Sequence, residues 1–550
     1  MTRGVFLFLA VAIVSCGLFA RIVVGAHKTD FHVDEGITLA ITNGSWKPPV
    51  VEPVFDRWLS KGELEELAFN ANLRATGRVD ARGIALTTAR DVHPPLFYWL
   101  FALARLAVGV GRYVAAALLL NGFCFGVTAA FIARAVLRAN VGDVRAGRMV
   151  ALVALAIFSF SSASVALTSF MRMYELLQAC CVAFACLASF VVFPRPGKPS
   201  ARSRTVATAG LSLVACAGAL TQYHFLFFAL SVSLVCAFLL AVRLRISSAL
   251  WCALSCAVGL YAAWRVFPAI RLHLVGSDRA LEGLAFTSSL FTGGAGSAIA
   301  RGRGYVGLVL RHVPALAAVL ALAVSRPVMS LFRPSVGVAD GVSDGVSGGT
   351  AGGHSVDSRG RASFPAGFVV LFAVPCVVLL AVAAVTAPFL SLRYIAACVP
   401  ALSVVLAVAL ARLWPLFRSG RARALAVTLS LVAVVMPLAG PMPAFHDEYA
   451  ADRNPPYFRD DVPVIIVSER QGFAWKNLLP YLAIPRHKRV YVTMRYEGGD
   501  LMPSLLQAVR SSGAEEAYAM VDVLFPAQPS MERAGFYGFF AVYRIGGRHE

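Results

Sequence analysis

Stretches of about 20 consecutive apolar residues, long enough to cross a hydrocarbon core of roughly 30 Å as helices, recur along this 550-residue chain. Lipid offers the backbone no hydrogen-bond partners, so a crossing segment must satisfy its own N–H and C=O groups, and a helix does so. Eleven spans are predicted, near 5–25, 113–133, 149–168, 175–193, 205–221, 224–242, 247–267, 305–325, 366–387, 395–411 and 423–440. With 58% of residues hydrophobic and 15% charged, the composition excludes a soluble globular protein. The expected class is a polytopic α-helical membrane protein.

The formal charge of +20 does not point to nucleic acid, because the basic residues form short clusters between spans rather than one basic domain. The clusters are Arg134, Arg138, Arg145 and Arg148; Arg195, Lys198, Arg202 and Arg204; Arg243 and Arg245; Arg326 and Arg333; and Arg412, Arg418, Arg421 and Arg423. The positive-inside rule puts them all in the cytoplasm. The N-terminus is then cytoplasmic, and 27–112, 169–174, 269–304, 388–394 and 441–550 face outward from a plasma (inner) membrane. The apolar stretch 94–110, PPLFYWLFALARLAVGV, is short and carries Arg105. Were it a span, the Arg134–Arg148 cluster would move outside, so it is read as an interfacial or re-entrant helix.

All eleven cysteines lie in apolar spans, where a free thiol behaves as a small hydrophobe; none has zinc-site spacing. Ile13-Val14-Ser15-Cys16 resembles a lipoprotein cleavage box, but apolar sequence continues to Ala26, which favours an uncleaved anchor.

Two regions are expected beside the spans within a membrane domain of residues 1–440. In the outer loop 27–112, Ser60 and Glu63 form a capping box for GELEELAFN, whose Leu64, Leu67 and Ala68 make an apolar stripe suited to the membrane surface. Residues 335–362, rich in Gly, Ser and Asp, read as a flexible cytoplasmic linker. Beyond Gly440, the strand-like PVIIVS, RVYVTMR, EAYAMVDVLF and FFAVYRI alternate with the helical NLLPYL and LMPSLLQAVRSSG. That alternation predicts a small extracytoplasmic α/β domain over 441–550.

Polar residues with chemical potential gather at four outward points: His32–Gly36 (HVDEG), Asp91-Val-His93-Pro94-Pro95, Arg172-Met-Tyr174-Glu175, and Leu392-Arg393-Tyr394 followed by Pro400. Each also has a plain structural reading. Asp34 suits an N-cap with Glu35 in the first helical turn; Asp91 suits a turn before the rigid prolines; Arg172 and Arg393 suit arginines that snorkel to headgroups. Gln222-Tyr223-His224 reads as a satisfied interfacial cluster.

Taken in order, a first span, a DE pair, a long outer loop closing in DxHPP, RMY between two spans and a late RY before proline, the chain resembles the GT-C superfamily. The likeness is greatest to bacterial relatives of the protein O-mannosyltransferases and the lipid A aminoarabinose transferases. It is carried by about the first 200 residues, and beyond them by spacing and topology. Ser169-Phe170-Met171 departs from the acidic and Gln residues that often precede RMY in such proteins.

The resemblance implies a GT-C-like glycosyltransferase that moves a sugar from a polyprenyl-phosphate carrier to a hydroxyl of a protein, lipid or glycan, by single displacement with inversion. No cofactor is implied, and a divalent metal is left open. Such chemistry needs a carboxylate base, for which Asp34 is the candidate with Glu35 in support, and positive charge for the leaving phosphate, which Arg172 and Arg393 would supply. Asp91, His93, Tyr174 and Tyr394 complete the expected substrate-binding set. The competing readings are a lipid-linked sugar transporter or flippase, which would place its polar residues near mid-membrane in repeated halves, and a scaffold displaying 441–550.

Overall fold

The computed structural model describes residues 1–28, 33–44, 57–89, 93–139, 144–193, 201–271, 273, 300, 302–307, 309, 366–386, 392–413, 459, 461–468, 486–494, 501–522, 531–537 and 540–546. Asp91, linker 335–362, most of 305–325, the span 423–440 and NLLPYL lie outside them.

The bundle is built from α1 (Arg3–Ala26), α7 (Tyr113–Ala139), α8 (Val144–Phe160), α9 (Ser162–Thr168), α10 (Tyr174–Val192), α11 (Ala201–Ala219), α12 (His224–Val242), α13 (Ile246–Val266), α14 (Ala366–Thr386) and α15 (Cys398–Leu413). Among the described residues six helices are long and apolar enough to cross a membrane, namely α1, α7, α10, α12, α13 and α14. The predicted span 149–168 is a broken one: α8 and α9 meet at Ser161 with a bend of 57°. The expected span 395–411 starts instead as a 3-10 turn, Leu392–Ile395, before α15. Helix α1 runs unbroken through Cys16.

Two details explain the bundle's compactness. Helix α10 is buried along nearly its whole length, as the central helix of a bundle must be. Gly259 lets α13 approach α11 closely, since a Cβ there would stand 2.2 Å from the Ser212 carbonyl oxygen, the close backbone approach that small residues permit in membranes.

The outer loop holds α2 (Val33–Thr42), β1 (Trp58–Ser60), α3 (Lys61–Glu65), a π-turn (Glu66–Asn70), α4 (Ala71–Thr76), α5 (Ala81–Thr88) and α6 (Leu96–Val108). The capping box forms as read, with Ser60 Oγ accepting from Glu63 N and Glu63 Oε2 accepting from Ser60 N. Its helix is not a surface helix, however. Leu64 and Ala68 are buried in a core shared with α6 and α7, so the stripe is covered by protein. At 13 residues α6 is about 20 Å long, short of a bilayer's core, and Arg105 on it is fully buried.

The C-terminal residues form β2 (Val464–Ser468), β3 (Arg489–Met494), α16 (Leu501–Ser512), β4 (Glu516–Asp522), β5 (Glu532–Tyr537) and β6 (Phe540–Gly546). The sheet order is β1-β3-β2-β4-β6-β5, with β2 parallel to β3 and β4 and the other pairs antiparallel. One edge strand, β1, therefore comes from the outer loop, Trp58–Ser60 lying against Tyr491–Arg489. Strand β5, ERAGFY, escaped sequence reading because it lacks alternation and bulges at Arg533/Gly535.

Candidate functional site: an acidic turn between two buried arginines

Chain direction puts several termini at one end of the bundle: the C-terminus of α1 and the N-termini of α2, α6, α10, α12 and α15. At the opposite end, Arg148 donates to the Met1 carbonyl (2.7 Å), Arg243 donates to that of Val192 (2.7 Å), and Arg138 lies 4.0 Å over the Phe190 ring. Among the described residues, the clusters Arg134–Arg148 and Arg243–Arg245 thus lie at the end opposite the motif residues.

Asp34 and Glu35 sit in the first turn of α2, where the helix dipole favours carboxylates. Since the helix already begins at Val33, Asp34 is not the expected N-cap. Its Oδ2 accepts from Arg393 Nη1 at 2.6 Å, with the Asp34 side chain 23% exposed and Arg393 only 7%. Arg172, 2% exposed, donates through Nη1 to the Asp34 carbonyl (3.3 Å), Thr38 Oγ1 (3.2 Å) and Tyr98 Oη (3.2 Å). Its Nη2 lies 3.3 Å from His93 Nε2 and 3.4 Å from Nδ1. Burial of this order is not what headgroup-anchoring arginines have; both guanidiniums point into the protein.

Glu35 is fully buried and held. Both its oxygens accept from Lys28 Nζ (2.8 and 3.0 Å), and Oε1 also accepts from Met171 N (2.8 Å). It fixes the turn that carries Arg172, a different place from Asp34, whose carboxylate faces Arg393. Tyr174 opens α10, buried and stacked on Phe170 at 5.9 Å. Arg393, Arg172 and Asp34 are all near enough to act on its phenol electrostatically. Tyr394 lies beside its neighbour, with the Arg393 guanidinium 5.2 Å from its ring, and 6.1 Å from the His224 ring.

Six of the eight predicted residues, Asp34, His93, Arg172, Tyr174, Arg393 and Tyr394, come together here. Glu35 stands behind them and Asp91 lies outside the described residues. Sequence reasoning missed Thr38, Tyr98, Lys28 and His224. Thr38 was within reach, one helical turn after Asp34; His224 was read as interfacial, yet it sits next to Tyr394 and near His93. Among the described residues no three His, Cys, Asp or Glu side chains come together as metal ligands.

Two solved structures are similar to this chain at low identity. ArnT from Cupriavidus metallidurans in the apo state matches with a TM-score of 0.48 at 12% identity, over 99% of this chain and 97% of that one. The same protein bound to undecaprenyl phosphate matches with a TM-score of 0.45 at 13% identity, over 99% and 98%. No family model and no curated protein matches the chain.

Proposed function

We propose that this protein is a membrane glycosyltransferase that takes a sugar from a polyprenyl-phosphate donor and gives it to an acceptor hydroxyl at the outer face of the inner membrane. Asp34 accepts the hydroxyl proton as that oxygen attacks the anomeric carbon; the bond from carbon to phosphate oxygen breaks, and the lipid phosphate leaves with the electron pair. The carrying observation is the convergence of one carboxylate and two buried guanidiniums, with Arg393 at 2.6 Å from Asp34 and Arg172 bonded to its backbone. A base and a receptor for growing phosphate charge are what this displacement needs.

The ion pair suggests how the parts cooperate. Arg393 would pass from Asp34 to the incoming phosphate, which leaves the carboxylate free for the proton. His93, Tyr394 and Asp91 line the substrate side in this reading, and Tyr174 backs the arginines. The two described arginine clusters at the far end, Arg134–Arg148 and Arg243–Arg245, support a cytoplasmic N-terminus by the positive-inside rule. The membrane domain is residues 1–440 and the extracytoplasmic α/β domain 441–550. Purified protein in detergent, given a panel of radiolabelled polyprenyl-phosphate sugars, should release the label from one of them. Loss of label from none would overturn the reading.

A further inference from the structure

Among the described residues Arg105 bonds to none of the site residues, yet its guanidinium makes bonds to three segments of the outer loop. It is fully buried. Its Nη1 donates to Thr42 Oγ1 (2.6 Å) and to the Leu39 carbonyl (3.3 Å), both on α2. Nη2 donates to the Phe69 carbonyl and to Asn70 Oδ1, each at 2.7 Å, at the end of the π-turn, and Nε donates to the Val110 carbonyl (3.2 Å). One planar fork thus joins three segments, and its partners are neutral oxygens. Such a bulge in a helix presents carbonyls to side-chain donors and often marks a functional place.

The π-turn in turn follows α3, and α3 is fastened to the C-terminal sheet. Lys61 N donates to the Lys488 carbonyl and Gly62 N to that of Arg486, both at 2.8 Å. Glu65, 5% exposed, is gripped by Lys61 (3.3 Å) and by Arg486 (3.2 Å). A continuous series of hydrogen bonds therefore runs from the edge of the sheet through β1, α3 and the π-turn to Arg105, and on to the last turn of α2. Its first turn carries Asp34.

We infer that the C-terminal sheet acts through Arg105 as a brace that sets the position of α2, and that Arg105 is a positioning residue for Asp34. The inference rests on the reading of Asp34 as the base. Reaction geometry is sensitive to such bracing, because a displacement of about 1 Å can cost on the order of 100-fold in rate.

The test uses the full-length protein in detergent with two disrupting variants, each paired with a second substitution at the same position. Arg105→Met removes the fork, and Arg105→Lys restores the charge without it. Lys61→Pro weakens the link at the sheet by one hydrogen bond: proline suits the first position of a helix, and Ser60 before it is already extended at ψ 150°, but the N–H bonded to Lys488 is gone. Lys61→Met keeps that N–H and serves as its control. Two readouts are taken: hydrogen exchange of the amides of 33–42, and kcat and KM for sugar transfer.

The expected result is faster exchange over 33–42 in Arg105→Met and Lys61→Pro. With it kcat should fall about ten- to hundred-fold, KM for the donor should change little, and Arg105→Lys should recover only part of the loss. Unchanged exchange over 33–42 in both variants overturns the brace, whatever the activity does. Faster exchange with undiminished kcat overturns the positioning role and counts against Asp34 as the base. Should the wild-type protein transfer no sugar, the proposed function fails, while the exchange arm still decides the brace.

Discussion

At the level of single residues, the proposed chemistry turns on the ion pair Asp34–Arg393. Asp34→Asn preserves shape and hydrogen bonding but cannot take a proton, so sugar transfer should fall by about 10²- to 10⁴-fold while the protein remains folded. Near-wild-type turnover in a well-expressed variant would exclude Asp34. For the arginines, lysine keeps charge but lacks the planar fork that grips two oxygens, so Arg→Lys should be milder than Arg→Ala at Arg172 and at Arg393, and complete at neither. If one phosphate engages both, the double Ala variant should lose less free energy than the sum of the single losses; strict additivity would separate them. The identities of these residues were legible because charged side chains flanking apolar runs stand out. Their pairing was not: Asp34 and Arg393 are 359 positions apart, and no local pattern encodes a contact made by bundle packing. The contacts of Glu35 were hidden likewise, since nothing local points to Lys28 or to the Met171 N–H as its partners.

Among the elements, the broken span α8–α9 depends on an arginine that sequence reading passed over. Arg21 of α1 is fully buried, donating to Thr168 Oγ1 (3.0 Å), Ser164 Oγ (2.6 Å) and the carbonyls of Ser159 (2.6 Å) and Gly17 (2.9 Å), with its guanidinium 3.7 Å from the Phe125 ring centroid. Glu175 accepts from the same threonine at 2.8 Å. The buried guanidinium is satisfied by these oxygens, and removing it leaves several of them buried without their donor. Arg21→Leu should therefore cost about 1–3 kcal/mol, read as a lower Tm in detergent, with Arg21→Lys between it and wild type. An unchanged Tm would show that the network carries no stability. The bend itself was invisible in the sequence because hydropathy stays high through Ser161; only the placement of polar groups along the run, Ser159 to Thr168, hinted at a break. The π-turn was equally hidden, as ELAFN scores as ordinary helix.

For the whole molecule, the separation of arginine clusters from the site predicts sidedness. With the unmodified parent as control, cysteines at Arg78 and Arg510, both exposed, should react with an impermeant thiol reagent on intact cells, and cysteines at Arg145 and Arg245 should not. Labelling of Arg145→Cys from outside would reverse the assignment and make α6 part of a crossing segment. The apolar helices and most strands of the sheet could be read from periodicity. What could not be read was that the sheet is shared, because Trp-Leu-Ser is too short to announce a strand.

That shared strand dictates an order of assembly. Trp58 leaves the ribosome early in synthesis, and its partner Tyr491 only near the end. Until synthesis is nearly complete, the edge that β1 will complete does not exist, and closing so distant a contact is among the slower events in folding. The nascent protein can insert its helices one after another, but it cannot finish its first loop before its last domain. Chains that stop short of β3 would be inserted, helical and idle, with residues 58–60 exposed to whatever else could pair with them.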